Sequence, residues 1–361
     1  MIEALATRSL LPKALKALRV ESGEKVTGDA EQGASWVAKS TETGFSAQEG
    51  ALPAAPKTWN IAYIMGISSF FKSVMDGGKV DVARRYEILR EAVSGTMSDF
   101  NKVRDRETEQ IVGLKVLDKK KTEQLEMRFR GLNKPTEGEI AVQFNHPRIV
   151  KTLNHGLTTK GEQFLVMEFL EGPGLNSLII GRSKLLDGNR LTLMREAAEA
   201  LQAVHEAGFI HRDVCPRNFV CSPDATSLKL IDFGLTVPAS KEFMQPGIRT
   251  GTPNYMAPEV VRRKHTDHRL DIFAFGVSMY EMFTFELPWQ RGSGDGLAAM
   301  SHGQSEPTPL EHFCPNIHPT LSKAISQCML PDLQKRMQTM KQFLAMIANV
   351  KSEEVAPTAG N

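Results

Sequence analysis

Side chains suited to acid–base and metal chemistry recur in an ordered series in the second half of the chain. His211–Asn218 reads HRDVCPRN, Asp232–Gly234 reads DFG nineteen residues beyond Asp213, and Gly251–Glu259 reads GTPNYMAPE. Aspartate and asparagine oxygens are ligands that Mg²⁺ prefers, and a carboxylate can take a proton from a hydroxyl. A lone loop aspartate is ordinarily a turn residue, so only the order and spacing of the whole series indicate this chemistry.

This series resembles the protein kinase superfamily, in particular the bacterial eukaryotic-like serine/threonine kinases. The resemblance runs from about Tyr86 to Ile347, and its ordered motifs are far more specific together than any one tripeptide. It implies transfer of the γ-phosphoryl group of ATP to a protein hydroxyl, with ATP and Mg²⁺ as cofactors and a protein as substrate. Such catalysis is mostly positioning and neutralisation of charge.

The resemblance assigns roles to the polar residues of the two loops. Asp213 orients the acceptor hydroxyl and takes its proton, while Asp232 and Asn218 hold the metal ions. Thr252, in the Gly-Thr-Pro sequence, resembles the serine/threonine-kinase residue that bridges toward the catalytic aspartate. Its segment lines the acceptor site directly, so the serine/threonine class is preferred.

One catalytic-loop position departs from the serine/threonine pattern. Cys215 stands where that pattern has a lysine, and Arg217 matches an arginine of the tyrosine-kinase pattern. We expect Arg217 to supply the missing positive charge to the γ-phosphate. A buried, inert thiol is the preferred interpretation of Cys215, with a reactive thiol as the alternative.

Upstream of these loops, an apolar strand ends in a lysine. Val112–Lys115 reads VGLK and resembles the kinase motif whose lysine, here Lys115, contacts the α- and β-phosphates. Glu137, nine residues before His146, matches the partner glutamate of the helix that the family places here. Glu139 is the alternative, two residues along and therefore on a different helix face.

The resemblance also implies nucleotide contacts in the small lobe and the hinge. They are the phosphate-loop residues Gly95 and Ser98 and the adenine-site residues Phe100, Gly113, Met167, Glu168, Leu170 and Val220. The phosphate loop, VSGTMS at residues 93–98, keeps only the middle of three family glycines. Since glycines let backbone N–H groups approach phosphates closely, this loop is expected to be weakened or reshaped.

Two departures in the adenine site look paired. Phe100 stands where the family has valine and Gly113 where it has alanine. A larger residue opposite a smaller one keeps the pocket volume roughly constant. We therefore expect a remodelled adenine site and not a lost one.

Regulation is expected in the segment that runs from Asp232 to Glu259. An arginine directly before the catalytic aspartate, Arg212, suggests control by a phosphorylated activation segment, because guanidinium binds phosphate bidentately. Thr236, Ser240 and Thr250 are the acceptors there, with Thr250 the first choice. Two structural contacts are also expected: Glu259 with Arg336, and Asp271 with the catalytic-loop backbone.

Hydrophobic periodicity changes along the chain. Segments 86–92, 110–117 and 162–169 alternate like strands, whereas 191–207 and 270–285 show helical periodicity. Strands first and helices later predict an α+β fold with two lobes, as the kinase resemblance implies. The kinase domain is placed at 86–348, with lobes at about 86–168 and 172–348, and a flexible tail at 349–361.

The first 85 residues differ in character from the domain. Residues 2–20 predict a basic amphipathic helix interrupted at Pro12, and residues 21–58 predict a disordered linker. Residues 59–85 predict a helical lead-in. The first helix is expected to pack on the domain, with contact to a partner, a membrane surface or an organellar import system as the alternatives.

Composition excludes several classes of function. The net charge of +2 is too balanced for a nucleic-acid binder, and the longest apolar run is too short for a membrane span. Four cysteines without CxxC spacing favour a reducing compartment, so a cytoplasmic location is expected. The alternative to an active kinase is a pseudokinase or weak ATP-binding scaffold, favoured by the unusual phosphate loop and Cys215.

Overall fold

The structure is a computed structural model that describes residues 78–90, 98–247, 249–289, 302 and 304–355. The expectations for residues 1–58, for most of the lead-in at 59–85 and for Gly95 lie outside these described residues. Among the described residues, no helix combines the length and the apolar character that a membrane crossing requires.

A six-stranded sheet forms the small lobe, in the order β1-β5-β6-β4-β3-β2. Its strands are β1 (Lys79–Val80), β2 (Tyr86–Arg90), β3 (Ser98–Asp105), β4 (Ile111–Leu117), β5 (Thr152–Thr158) and β6 (Gln163–Glu168). All pairs are antiparallel except β1 with β5. Tyr86, Val103 and Phe164 belong to a small core within this lobe.

A five-residue helix, Glu137–Ala141, crosses the sheet in the small lobe. Thr136 caps its N-terminus in a capping box with Glu139, so both side chains satisfy backbone donors of the first turn. The helix lies very close to β5, because a β-carbon on Gly138 would stand 2.5 Å from His155 Cβ. A glycine is needed there for the helix to approach the sheet.

The large lobe is built mainly from helices. The small lobe contains α1 (Val82–Arg85), α2 (Lys119–Glu126) and α3 (Glu137–Ala141). The large lobe contains α4 (Leu175–Ile180), α5 (Arg190–Glu206), α6 (Pro258–Val261), α7 (Arg269–Thr284), α8 (Leu310–Phe313), α9 (Pro319–Cys328) and α10 (Met340–Ile347). Fifteen of the sixteen α7 residues are buried, as expected of a helix that is apolar on all sides. The sequence-based strand and helix segments are confirmed, and the fold is α+β with two lobes.

Two short strand pairs flank the loops that lie between the lobes. They are β7 (Phe209–Ile210) with β10 (Val237–Pro238), and β8 (Phe219–Cys221) with β9 (Leu228–Leu230). The catalytic loop lies between β7 and β8, and Asp232 follows β9. Antiparallel pairing of these strands therefore brings loops that are distant in sequence to one edge of the large lobe.

Both ends of the described chain differ from expectation. Residues 79–85 form the two-residue strand β1 and the single turn α1, not the end of a long helix. Residues 349–355, expected to begin a flexible tail, contact the large lobe: the Val355 N–H donates to Asn316 O at 2.9 Å, and the His318 N–H donates to Glu353 O at 2.8 Å. Backbone pairing of this kind is a contact that composition does not reveal.

Candidate active site

A lysine and two carboxylates meet where the two lobes face each other. The Lys115 Nζ atom, on β4, lies 2.6 Å from Glu137 Oε1 on α3 and 3.0 Å from Asp232 Oδ1 after β9. The side chains of Lys115 and Glu137 are 10% and 6% exposed, whereas Asp232 is 42% exposed. Glu139, the alternative partner, is used in the helix cap, so Glu137 is the carboxylate that contacts the lysine.

The charges of this triad follow from its surroundings. Burial lowers the pKa of Lys115, but the neighbouring Asp232 and Glu137 outweigh that effect and raise it above its ordinary value. Burial would raise the pKa of Asp232, yet Lys115 and the Gly234 N–H together hold it below its usual range. Burial raises the pKa of Glu137, which Lys115 only partly offsets. A cation and an ionised carboxylate thus face the cleft at neutral pH.

Asp213 is held from two directions. Its Oδ1 atom accepts from the Thr252 Oγ1–H at 2.7 Å and from the Thr252 N–H at 2.9 Å. Asn218 Nδ2 donates to Asp213 Oδ2 at 3.1 Å and to the Asp213 carbonyl oxygen at 2.7 Å. These bonds fix the orientation of the carboxylate, and Asn218 Oδ1 accepts no hydrogen bond from the described residues.

Arg217 lies on the Thr252 side of the loop. Its Nη2 donates to Thr252 Oγ1 at 3.0 Å, and the residue is exposed. The structure therefore brings Arg217 together with Asp213 and Thr252, and gives it no contact with Lys115 or Asp232.

The thiol of Cys215 is fully buried beneath the same loop. Its Sγ lies 3.7 Å from Thr252 Oγ1, and burial raises the pKa of the thiol to about 11. A thiol with a raised pKa forms little of the thiolate that reacts, so its burial supports the inert interpretation of Cys215, which stays a prediction.

The backbone of the catalytic loop is fixed by a buried aspartate on α7. Asp271 accepts from the His211 N–H at 2.8 Å and the Arg212 N–H at 2.7 Å, and its Oδ2 lies 2.9 Å from His205 Nε2. Arg212 has a φ of 68°, a left-handed conformation that costs free energy for a non-glycine residue. The expected contact of Asp271 with this backbone is confirmed, and it stabilises the strained residue.

A buried ion pair holds Glu259, the last residue of the activation segment, in place. Arg336 Nη1 and Nη2 donate to the two Glu259 carboxylate oxygens at 2.7 and 3.0 Å, and the Arg336 side chain is 0% exposed. The expected pairing of these residues is confirmed. Its geometry is the bidentate form that suits a guanidinium and a carboxylate.

Most of the residues expected to contact the nucleotide line one cleft. Its volume is about 770 Å³, including the part that is open to solvent. Those lining it are Ser98, Phe100, Lys115, Met167, Glu168, Leu170, Val220 and Asp232. Gly113 lies behind the Phe100 ring, whose Cζ stands 2.7 Å from where a Gly113 β-carbon would be.

Sequence reasoning missed several cleft residues: Ala141, Val150, Thr152, Leu165, Ile231 and Phe233. Phe233 belongs to the DFG motif, which gave a signal for it. The other five are small or apolar residues of ordinary core type. They line the cleft only because of how α3 and the sheet pack.

The cleft fits a nucleotide and a divalent cation. It is mostly apolar, as sites for flat heterocycles are, with the Lys115 cation on its wall. No group of three or more His, Cys, Asp or Glu gathers in the described part of the chain. Mg²⁺ commonly takes one or two protein oxygens together with phosphate and water. The oxygens of Asp232 and Asn218 suit that pattern.

The three candidate phosphorylation sites of the activation segment differ in burial. Thr236 is fully buried, and Thr250, the first choice for phosphorylation, is 7% exposed with an Oγ1 atom that has no hydrogen-bond partner among the described residues. Ser240 is partly exposed and donates to Glu242 Oε2. Packing covers the Thr250 hydroxyl in this conformation, which disfavours the expected first choice of acceptor.

A strand-rich lobe and a helical lobe, with the Lys115–Glu137 pair on one side of the cleft and the Asp213 loop on the other, define the protein kinase class. The protein kinase domain family matches residues 86–346, and the chain belongs to this family.

The chain is similar to several bacterial enzymes. It is 29% identical over 279 residues to a probable serine/threonine-protein kinase of Clostridium perfringens, covering 76% of this chain and 39% of that protein. It is 28% identical over 284 residues to the serine/threonine-protein kinase pkn3 of Myxococcus xanthus, covering 75% and 51%. It is 33% identical over 217 residues to PknL of Mycobacterium tuberculosis, also named a serine/threonine-protein kinase, covering 59% and 53%. The chain thus spans between two fifths and about half of the length of these relatives.

Proposed function

We propose that this chain is an ATP- and Mg²⁺-dependent protein kinase that phosphorylates serine or threonine hydroxyls. The observation that carries the proposal is the double hydrogen bond from Thr252 to Asp213 Oδ1, at 2.7 and 2.9 Å. It fixes the direction of a partly exposed carboxylate, which an acceptor hydroxyl can reach. The names of the bacterial relatives support the same class of reaction.

Each side chain has a defined part in this proposal. Asp213 receives the proton of the acceptor hydroxyl, and a bound Mg·ATP supplies the phosphoryl group that the hydroxyl attacks. Lys115, kept in place by Glu137, holds the α- and β-phosphates. Asp232 and Asn218 hold the metal.

The adenine contacts complete the proposed site. Phe100 and Gly113 contribute to one wall of the adenine site, Val220 to the opposite one, and Met167, Glu168 and Leu170 belong to the hinge. Gly95 and Ser98 remain proposed phosphate contacts, with Ser98 at the cleft. Exclusion of water by these mainly apolar groups strengthens the charge interactions inside the cleft.

Labelling with γ-labelled ATP and Mg²⁺ tests the proposal. We expect label on generic protein acceptors or on the chain itself, as phosphoserine or phosphothreonine, and none with the Asp213→Asn variant. This substitution keeps the size of the side chain and removes the proton acceptor. Absence of label on every acceptor would favour the scaffold alternative, and phosphotyrosine alone would overturn the acceptor class.

We further propose regulation through the activation segment. Arg212 Nη1 donates to Phe243 O at 3.1 Å within that segment, so a change there is transmitted to the catalytic loop. Ser240 is partly exposed, whereas the other two candidates, Thr236 and Thr250, are buried. Phosphate mapping by mass spectrometry of active protein is expected to find Ser240 modified, and an unmodified segment would remove autophosphorylation from the proposal.

We place the reaction in the cytoplasm. All four cysteines are free, which suits a reducing compartment. Fractionation of the source cells, with an antibody against the chain, tests this location.

A further inference from the structure

Arg217 lies beside Thr252, the residue that holds the Asp213 carboxylate. The Arg217 guanidinium donates to Thr252 Oγ1 at 3.0 Å, and the same hydroxyl donates to Asp213 Oδ1 at 2.7 Å. Arg217 is exposed, and this is the one hydrogen bond that its guanidinium makes within the described part of the chain. Its remaining N–H groups are available to a group that approaches Thr252 from solvent.

The neighbouring chain segments add further positive charge. From Thr236 to His265 the basic residues are Lys241, Arg249, Arg262, Arg263 and Lys264, and the acidic residues are Glu242 and Glu259. Glu259 is neutralised by the buried Arg336. Basic residues therefore outnumber acidic ones in this stretch of the chain.

Backbone contacts hold the basic turn after α6 against the activation segment. The Lys264 N–H donates to Glu259 O at 2.8 Å, and the Thr266 N–H donates to Met244 O at 3.2 Å. Arg263 and Lys264 are exposed in this turn. The surface that continues from Thr252 through α6 therefore has a positive balance of charge.

We propose that this surface selects an acidic acceptor peptide, in which a carboxylate near the phosphorylated hydroxyl pairs with Arg217. The inference rests on the proposed kinase function and adds the chemical class of its substrate. Charges at the rim of a binding site contribute chiefly to specificity and to the rate of encounter. An acidic peptide is attracted to this surface, whereas a basic one is repelled.

The geometry favours this role over contact with the γ-phosphate. Lys115 is the cation that contacts Asp232, the proposed metal ligand, whereas Arg217 is bonded to the threonine that faces the acceptor. A phosphate contact would alter transfer to every peptide equally, because ATP is common to all. A peptide contact alters the ratio between peptides.

Two threonine peptides that differ only in their flanking residues test the inference. One carries Asp and Glu within three positions of the threonine, and the other carries Asn and Gln there. We expect kcat/KM to be about two- to fivefold higher for the acidic peptide for each ion pair formed, chiefly through KM. This preference is expected to shrink at high salt.

Arg217→Ala is expected to remove most of the preference and Arg217→Glu to reverse it. Arg128→Ala is the matched control, an exposed arginine of the small lobe whose loss should leave the preference intact. Equal rates for the two peptides with the unaltered chain, or an unchanged ratio with Arg217→Ala, would overturn the inference. An equal fall in kcat for both peptides with Arg217→Ala would leave their ratio unchanged, so it too would overturn the inference.

Direct peptide binding separates this inference from the proposed function. Fluorescence anisotropy of both labelled peptides, measured without ATP, is expected to show tighter binding of the acidic peptide and its loss with Arg217→Ala. If kinase activity is present and this difference is absent, the inference on substrate class fails alone. If no phosphoryl transfer occurs to any protein or peptide, the proposed function fails, and with it the substrate class.

Discussion

The Phe100 ring occupies the space that a β-carbon on Gly113 would need. Its Cζ and Cε2 atoms lie 2.7 and 2.8 Å from that position, closer than β-carbons approach other atoms, and Met167 Cγ lies 3.2 Å away on another side. The two residues lie on adjacent strands, with Phe100 registered opposite Lys115 and Gly113 opposite Lys102. The expected exchange of volume between Phe100 and Gly113 thus has a direct steric basis.

Gly113→Ala is expected to weaken ATP binding by roughly tenfold. The added methyl group must push the Phe100 ring toward the cleft, and overpacking of this kind costs about 1–3 kcal/mol. Titration with a fluorescent ATP analogue measures the change in Kd. The double variant Phe100→Val with Gly113→Ala should recover most of the affinity, and an unchanged Kd for the single variant would refute the steric argument.

Lys115→Met is expected to abolish phosphoryl transfer and to make stability depend on pH. Without Lys115, the buried Glu137 keeps only the weaker electrostatic influence of Lys134, so its pKa, already raised by burial, rises further. A folded-state pKa above the unfolded value means that the stability contribution is present below the unfolded pKa and is lost as pH rises through the folded pKa. The variant should therefore lose about 3–5 kcal/mol at about pH 8 and less at about pH 5.5.

Urea denaturation at the two pH values checks this result. The double variant Lys115→Met with Glu137→Gln is the control, because the amide does not titrate and the pH dependence should disappear. If the free energy of unfolding changed equally with pH in the unaltered chain and in Lys115→Met, titration of Glu137 would not be the cause of the pH dependence.

Arg336→Met is expected to reduce the free energy of unfolding by about 3–5 kcal/mol, because it leaves Glu259 buried without its partner. Lys335→Ala, one residue earlier, removes an exposed ion pair of 3.9 Å with Asp332 and should change stability by less than about 0.5 kcal/mol. Urea midpoints of the two variants provide the comparison. A similar loss of stability in both variants would mean that the buried Arg336–Glu259 pair contributes no more than an exposed ion pair.

The thiol of Cys215 is expected to react slowly with a thiol reagent in the native protein. It is fully buried and its pKa is raised to about 11, whereas Cys314 is partly exposed. Native protein should therefore be modified first at Cys314, and all four cysteines should react after denaturation. Peptide mapping after a timed reaction identifies the sites, and early modification of Cys215 would contradict its burial.

Functional residues that belong to a short motif within one loop could be predicted from the local sequence. Asp213, Asn218 and Thr252 belong to short motifs, and the structure brings Asn218 and Thr252 within hydrogen-bonding distance of Asp213. The choice of Glu137 over Glu139 had a readable local signal as well. Thr136 followed by Glu139 is a capping-box pattern, which engages Glu139 at the helix end.

The sequence by itself determined the family, the two-lobed α+β fold and the residue types of the cleft, because these depend on motif order and on hydrophobic periodicity. Only the tertiary structure decided that Arg217 bonds to Thr252, that Thr250 is buried and that residues 353–355 pair with the large lobe. The physical reason is that side-chain direction and burial depend on neighbours supplied by distant segments. Thr252 is 35 residues from Arg217 in the chain, yet the two side chains share a hydrogen bond.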